Sequence, residues 1–224
     1  MLPIILLEGK TYYKNFTQFD VIFISGDPYY DHPLSGTALL ARLIESKGYK
    51  VAIIPQPRTD EEYKLCGKPR YFFCITSGLL DSMLANYTPM LHQRENVLVP
   101  ERALMVYTQK VKQFFPGSIT VLGGVEATIR RYTHFDYKDN MLRRGILNDT
   151  KADLLLFANA DRSILTLLER FKAMKLVEPT FNEVKPTLNL NTLEGASFRM
   201  KKEEIQDRVL PSYEECIADP EKFW

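Results

Sequence analysis

The chain has 224 residues, 45% of them hydrophobic and 25% charged, and its 29 basic and 28 acidic side chains leave a formal net charge of +1. This composition is ordinary for a globular protein and excludes an overall field strong enough to attract nucleic acid or an anionic membrane. No apolar run reaches the roughly 18 residues that a membrane span needs. Residues 1–7 are apolar but lack a basic leader and a cleavage site, so we expect no signal peptide.

The three cysteines, Cys66, Cys74 and Cys216, are odd in number and scattered along the chain. Such usage argues against a disulfide framework and favours a reducing, cytoplasmic location. None of their spacings is that of a metal-ligand pair. The sequence therefore predicts small buried or surface thiols and no metal site in this chain.

Short apolar runs alternate with segments of helical periodicity along most of the chain. The predicted strands cover residues 21–25, 51–54, 71–76, 119–122 and 153–157, and the predicted helices cover 34–47, 79–87, 102–115, 127–134 and 161–175. Residues 92–101 are predicted to be a loop. Because strands and helices alternate, the crossovers should be right-handed and the strands parallel. The pattern predicts an α/β fold, an open, mostly parallel, Rossmann-like sheet of about five strands with flanking helices.

Beyond Pro179 the alternation of apolar strand-like runs with helical segments ends. We therefore divide the chain into an α/β domain over residues 1–179 and a C-terminal extension over residues 180–224. Within the extension, residues 187–193 and 196–200 alternate weakly and predict a hairpin around Glu194 and Gly195. A charged stretch over 201–208 and a turn over 210–213 follow. The extension is too small and too polar for a core of its own, so it should pack on the main domain or lead to a part that is missing.

The loops that follow three of the predicted strands carry the candidate ligand-binding residues. In an open parallel sheet, ligands bind beyond the carboxyl ends of the strands, where glycine lets the backbone approach closely. The candidates are Asp27, Asp31, His32, Gly36, Ser77, Gly78, Gly123, Gly124 and Glu126. The alternative is that glycine-rich turns simply end these strands.

His32 and Glu126 each have a functional and a structural interpretation. His32 lies in a loop beside Asp31 and could ligate a metal or cofactor or anchor a hydrogen bond. Alternatively, Asp31 or His32 caps the following helix. Glu126 should lie in a first helical turn, where the helix dipole alone favours a carboxylate, so a catalytic role is the less favoured interpretation.

A basic segment with interleaved aromatic residues could bind phosphates or RNA. Its arginines are Arg130, Arg131, Arg143 and Arg144. Several aspartates lie close by in the sequence, at positions 136, 139 and 149, so internal ion pairing is the favoured interpretation.

Several blocks of this sequence resemble the N-terminal region of the YgiQ-type radical-SAM proteins. The matching blocks cover residues 20–33, 70–73, 81–83, 86–88, 122–131, 134–137, 143–147, 151–155, 195–198 and 210–213. The longest of them reads Leu-Gly-Gly-Val-Glu-Ala-Thr-Ile-Arg-Arg. The segment over residues 95–102 departs from the family, which usually has a longer loop there, so any substrate contact by that loop is altered in this chain.

The resemblance implies a following radical-SAM barrel, in the same chain or a separate one. In the family that barrel holds a four-iron cluster on a Cys-x-x-x-Cys-x-x-Cys motif and binds S-adenosylmethionine. This sequence contains no such motif, and its three scattered cysteines should not converge on one cluster. No catalytic residue is therefore carried over. We expect a fragment, a separately encoded half or a shortened relative.

A weaker likeness points to cobalamin-binding domains. Residues 31–36 are similar to their Asp-x-His-x-x-Gly motif but out of register, whereas residues 77–79 and 123–124 fit their later motifs. In such domains the histidine ligates cobalt. Because Pro33 directly follows His32 and restricts it, a shared fold without the cofactor is favoured over cobalamin binding.

Three functions remain open from the sequence. The first is an accessory, substrate-facing domain of a radical-SAM protein that is not catalytic alone. The second is a stand-alone module that binds cobalamin or a nucleotide-like ligand. The third, an RNA- or phosphate-binding protein, is the least favoured because the net charge is near zero. None of them involves a membrane.

Overall fold

The computed structural model describes residues 4–7, 10–13, 18–176, 178–205 and 209–223. The strands are β1 (Ile4–Leu7), β2 (Lys10–Tyr13), β3 (Val21–Ser25), β4 (Val51–Pro55), β5 (Phe72–Thr76), β6 (Ile119–Gly123), β7 (His134–Asp136), β8 (Met141–Arg143), β9 (Leu154–Leu156) and β10 (Ala196–Phe198). The α-helices are α1 (Gly36–Ser46), α2 (Asp60–Lys64), α3 (Ser82–Asn86), α4 (Ala103–Phe114), α5 (Gly124–Ile129), α6 (Ile146–Thr150), α7 (Asp161–Met174), α8 (Phe181–Val184) and α9 (Tyr213–Ala218). Short 3-10 helices cover Leu190–Thr192, Lys202–Glu204 and Pro220–Phe223.

A six-stranded sheet with the order β10-β9-β6-β5-β3-β4 forms the centre of the fold. The strands from β9 to β4 are parallel, and β10 joins the edge antiparallel to β9. The α/β prediction with a mostly parallel sheet is confirmed. Because β4 and β5 lie on opposite sides of β3, the chain leaves β3 in one direction and continues the sheet in the other. Such a switch point opens a crevice at the carboxyl ends of the strands.

The parallel strands are apolar along their length because helices cover both faces of the sheet. In β3 every residue is buried. Val21 and Phe23 point to the core under α1 and α7, whereas Ile22 and Ile24 point to the core under α4, α5 and α6. This two-sided burial explains why continuous apolar runs, rather than alternating ones, predicted these strands.

The three long helices lie within a few residues of their predicted positions, and the shorter ones differ. Asp81 caps α3 by accepting a hydrogen bond from the Met83 amide at 2.8 Å, so this helix starts later than predicted. The helix predicted over 127–134 is wrong in its bounds, because α5 begins directly after β6 and ends at Ile129. His134 belongs to β7 instead, which pairs with β8. The loop predicted over 92–101 has neither helix nor strand.

The hairpin predicted over residues 187–200 is wrong. Residues Leu190–Thr192 form a 3-10 helix, and β10 pairs with β9 instead of folding back on its own neighbour. β10 pairs with backbone groups that would otherwise be unpaired at the edge of β9. The Phe157 amide extends this pairing by donating a hydrogen bond to the Gly195 carbonyl at 2.8 Å. The division of the chain at residues 179 and 180 stays a prediction.

Buried side chains beyond Pro179 join the core beneath α7; they are Val184, Leu188, Leu190 and Leu193. Further along, α9 packs against β8, and Arg144 pairs with Glu214 at 2.9 Å. Residues 206–208 of the predicted charged stretch lie outside the described residues. At the other end of the chain, β1 pairs with β2 and lies beside β4. Among the described residues, no helix has the length and apolar character to cross a membrane.

Candidate functional site

A cavity of about 590 Å³ lies at the carboxyl ends of the parallel strands, between the start of α1 and the start of α7. Its floor consists of buried apolar side chains from four strands and from α7, namely Phe23, Cys74, Val121, Leu156 and Ile164. This is where the switch in strand order predicts a ligand crevice. Its volume lies in the range of small-molecule binding sites.

Large apolar side chains surround the mouth of the cavity and are open to solvent. Leu34 is 75% exposed, Leu39 51%, Leu79 54% and Val125 46%. We call these four residues the apolar rim. They lie on two loops and two helices at the carboxyl ends of the strands, so the rim extends along this edge and is not confined to one element.

Asp27 is held at the mouth by the neighbouring loop. Its Oδ2 accepts a hydrogen bond from the Leu79 amide at 2.6 Å. Partial burial raises the pKa of Asp27 above its usual value, and the Leu79 hydrogen bond opposes that rise. Gly78 has a φ of +102°, and a Cβ there would overlap the Asp27 carboxylate. The glycine that follows β5 is therefore needed for Asp27 to take this position.

Glycine also brings the loops after β5 and β6 together. Gly124 has a φ of +85°, and a Cβ at this position would overlap Oγ1 of Thr76, the last residue of β5. Gly36, Gly78, Gly123 and Gly124 all line the cavity, as does Asp27. The structure thus brings five of the nine candidate residues to one place, and their role there stays a prediction.

The remaining loop candidates lie away from the cavity wall. His32 is exposed, and its Nδ1 accepts a hydrogen bond from the Leu34 amide at 3.1 Å. Asp31 pairs with Arg42, while Ser77 is buried and donates to the Leu80 carbonyl at 2.8 Å. The prediction that Asp31 or His32 caps α1 is wrong, because the Ser35 hydroxyl accepts the hydrogen bond from the Ala38 amide.

Glu126 is fully buried beneath the loop that follows β5. Its Oε2 accepts a hydrogen bond from the Ser82 amide at 2.9 Å, and its Oε1 has no hydrogen-bond partner among the described residues. Burial raises the pKa of Glu126, the nearby Asp81 adds to this rise, and hydrogen bonding with Ser82 and the charge of Arg130 oppose it. The carboxyl group thus connects α5 to the start of α3.

Arg130 and Asp81 form a buried ion pair beside Glu126. The guanidinium donates from Nε to Asp81 Oδ2 at 2.8 Å and from Nη2 to Asp81 Oδ1 at 2.9 Å. His134 stands next to it, with its Nε2 3.4 Å from Arg130 Nη1, and burial lowers the pKa of this histidine. The pair joins the loop after β5 to the helix after β6. It therefore fixes two of the loops that border the cavity.

The other predicted basic residues also have partners within the protein. Arg143 bonds Asp136 at 2.6 Å and pairs with Asp139, and Arg144 pairs with Glu214 at the surface. Arg131 donates to the Thr128 carbonyl and lies over two aromatic rings. Sequence reasoning missed Arg102, which bonds both Asp136 and Asp139 at 2.7 Å. Its position far from them in the sequence gave no signal.

The cysteines do not fit a four-iron cluster. Cys66 belongs to the core on one face of the sheet and Cys74 to the core on the other, while Cys216 lies in α9. Burial raises the pKa of Cys66 to about 12, so its thiol stays protonated at neutral pH. Three thiolates on one cluster must converge, and these do not. Among the described residues, no group of three or more histidine, cysteine or acidic side chains could hold a metal ion.

His32 does not fit a cobalt ligand in this arrangement. Its side chain is exposed, its Nδ1 is engaged by the Leu34 amide, and it does not line the cavity. The open parallel sheet is compatible with a shared fold, but this chain does not present the histidine as a cobalamin site would need it.

Removing the negative charge of the buried ion pair should destabilise the protein strongly. In Asp81→Asn the side chain can still cap α3, but Arg130 is left buried without its counter-ion. We expect the free energy of unfolding to fall by about 3–5 kcal/mol. Urea unfolding measures this loss. Glu214→Gln breaks the exposed pair with Arg144 and should cost less than about 1 kcal/mol. Equal losses in the two variants would contradict the assignment.

The buried Glu126 should make stability depend on pH. Its pKa is raised above its usual 4.5, so above pH 4.5 the unfolded chain gives up this proton before the folded protein does. The contribution of this group to stability therefore decreases as the pH rises through that window. In Glu126→Gln the titration is absent. We expect the variant to gain stability relative to the unmodified chain between pH 4.5 and pH 8, as measured by urea unfolding at both values; a constant difference would disprove the assignment.

Comparison with known proteins identifies the family. The family described as Radical SAM N-terminal matches residues 2–224. A UPF0313 protein of Methanocaldococcus jannaschii is 36% identical over 92% of this chain and 35% of its own length, and one of Thermotoga maritima is 34% identical over 92% and 36%. One of Geobacter sulfurreducens is 40% identical over 74% and 29%. The chain thus spans about a third of the length of these relatives. Its resemblance to the YgiQ-type proteins is confirmed, and the chain belongs to the radical SAM N-terminal family.

Proposed function

We propose that this chain is the accessory, substrate-facing domain of a radical-SAM protein and that it is not catalytic alone. The observation that supports this most directly is the cavity at the carboxyl edge of the sheet with the apolar rim around its mouth. The edge that should receive a ligand is also the edge that exposes large apolar side chains. A second protein surface placed there would both cover the rim and close the cavity.

The exposed apolar surface at this edge extends beyond the rim. Leu80 follows Leu79 and is 58% exposed, and Ile129 lies one turn after Val125 on α5 and is 55% exposed. Exposed apolar patches of this kind on a globular protein mark interaction sites. We therefore assign the surface of the rim, Leu80 and Ile129 to docking, and call it the docking edge.

Contacts within the protein hold several of the loops that carry the docking edge. The buried ion pair and the close contact of Gly124 with Thr76 fix the loops after β5 and β6 against each other. Asp27 is likewise fixed by the Leu79 amide. A site whose loops are held before binding loses less conformational entropy when its ligand arrives.

The partner proposed for the docking edge is the radical-SAM barrel, in the same chain or a separate one. About two thirds of the length of these relatives is not matched by this chain. The barrel would bring the four-iron cluster and S-adenosylmethionine, which together supply radical chemistry when bound. This chain would supply binding and exclusion of water, and its three free cysteines fit the reducing environment of the cytoplasm.

A stand-alone ligand-binding module is the second candidate function, and the size of the cavity favours it. Such a module would need no docking partner. The RNA- or phosphate-binding alternative is weaker, because Arg130 and Arg143 are engaged by carboxylates within the protein. The docking experiment below distinguishes the first candidate from the second.

The docking proposal can be tested in a chimera. This chain replaces the matched part of the Thermotoga maritima relative, which is 36% of its length, so that the rest of that relative is present in the same polypeptide. Amide hydrogen exchange is then compared between the chimera and the chain alone. We expect slower exchange in the chimera over residues 78–84 and 124–129, because a docked surface shields those amides from solvent.

The control region is the last turn of α4, which lies at the opposite edge of the sheet, where the parallel strands begin. Its amides should exchange equally in both proteins. A Leu79→Asp variant should lose the protection, and Leu176→Asp should retain it, because Leu176 follows the end of α7 at that opposite edge. Unchanged exchange over residues 78–84 and 124–129 would refute docking at this edge and favour the stand-alone module.

A further inference from the structure

We infer that the cavity binds an apolar amine, a compound whose apolar body fills the cavity and whose ammonium group pairs with Asp27. The inference rests on the proposed function, because it names the class of substrate for the same site. It depends on three features of the cavity, which are its walls, the position of Asp27 and the charges that line it.

The walls select an apolar body. The floor is made by Phe23, Cys74, Val121, Leu156 and Ile164, all buried, and offers aliphatic and aromatic contacts. The volume of about 590 Å³ accommodates a small molecule with a ring or a branched chain. A fully polar ligand would lose its hydration there without gaining hydrogen bonds from these side chains.

Asp27 is placed to receive a donor from the ligand. The Leu79 amide occupies Oδ2, and no described residue donates a hydrogen bond to Oδ1. Partial burial raises the pKa of this carboxyl, which means that its charge is poorly solvated. A cation at the mouth would compensate this charge and would form a charge-assisted hydrogen bond with it.

The charged side chains of the lining disfavour an anion. Asp27 and Asp161 line the cavity, and none of the described lining residues is lysine, arginine or histidine. Three helices begin at the cavity and direct the positive ends of their dipoles towards it. The Ser35 side chain caps α1, and although α5 and α7 have no side-chain cap, each carries an acidic residue in its first turn, Glu126 and Asp161, which opposes the dipole. A phosphate or carboxylate in the cavity would therefore meet like charge without a compensating cation.

Three probes that share an indole ring test this inference with the complete chain. Tryptamine carries an ammonium group, tryptophol a hydroxyl and indoleacetate a carboxylate. Their affinities are measured by isothermal titration and located by amide shifts in NMR spectra. We expect tryptamine to bind at least about tenfold more tightly than tryptophol, and indoleacetate to bind most weakly.

Three variants localise the effect. Asp27→Asn should bring tryptamine to the affinity of tryptophol, whereas Asp31→Asn removes a nearby carboxylate that faces Arg42 and should change nothing. Thr37→Trp adds bulk to the mouth from the half-buried surface of α1 and should abolish binding of all three probes. Thermal unfolding confirms that each variant is folded.

The inference is overturned if no probe binds up to its solubility, if indoleacetate binds as tightly as tryptamine, or if Asp27→Asn retains the preference for tryptamine. None of these outcomes affects the hydrogen-exchange result in the chimera. If the chimera shows docking but tryptamine is not preferred, only the substrate class is disproved. If tryptamine is preferred but the chimera shows no docking, only the proposed function is disproved.

Discussion

The buried ion pair between Arg130 and Asp81 is the interaction on which the candidate site depends. It joins the helix after β6 to the loop after β5, and Glu126 reinforces the same connection through the Ser82 amide. Desolvating these charges is expensive, so the pair contributes to stability only because both partners are present and hydrogen-bonded. The main effect of the ion pair is on the positions of the loops. It holds two loops at the carboxyl edge of the sheet in one arrangement, and the cavity lies between them and α7.

The parallel sheet could be predicted from the sequence because its strands are buried on both faces. Continuous apolar runs, several of them followed by glycine or proline, gave β3, β4, β5, β6 and β9 to within a few residues. The C-terminal segment could not be predicted in the same way. The choice of β10 between a local hairpin and the open edge of β9 depends on a strand about forty residues earlier. No local pattern contains that information.

The site was predictable only in part, for the same reason. Glycines after β5 and β6 mark the cavity because close backbone approach is a local requirement, and Gly78 and Gly124 meet it. His32 drew attention as a loop histidine, yet its Nδ1 is occupied by the Leu34 amide. The pairing of Arg130 with Asp81 joins residues that are 49 positions apart and emerges only from the fold. The composition of the loops was enough to predict that the site lies at the carboxyl ends of the strands. Which side chains face the cavity depends on tertiary contacts that the sequence does not show.

The central claim of the proposed function is that the edge bearing the cavity docks the proposed radical-SAM barrel. Photo-crosslinking in the chimera tests it most directly, with benzoylphenylalanine placed at Leu79 of the docking edge or at Leu176 of the opposite edge. The account predicts crosslinks from position 79 to the part of the relative that this chain does not match, and none from position 176. Crosslinks from position 176 alone, or equal yields from both positions, would contradict it.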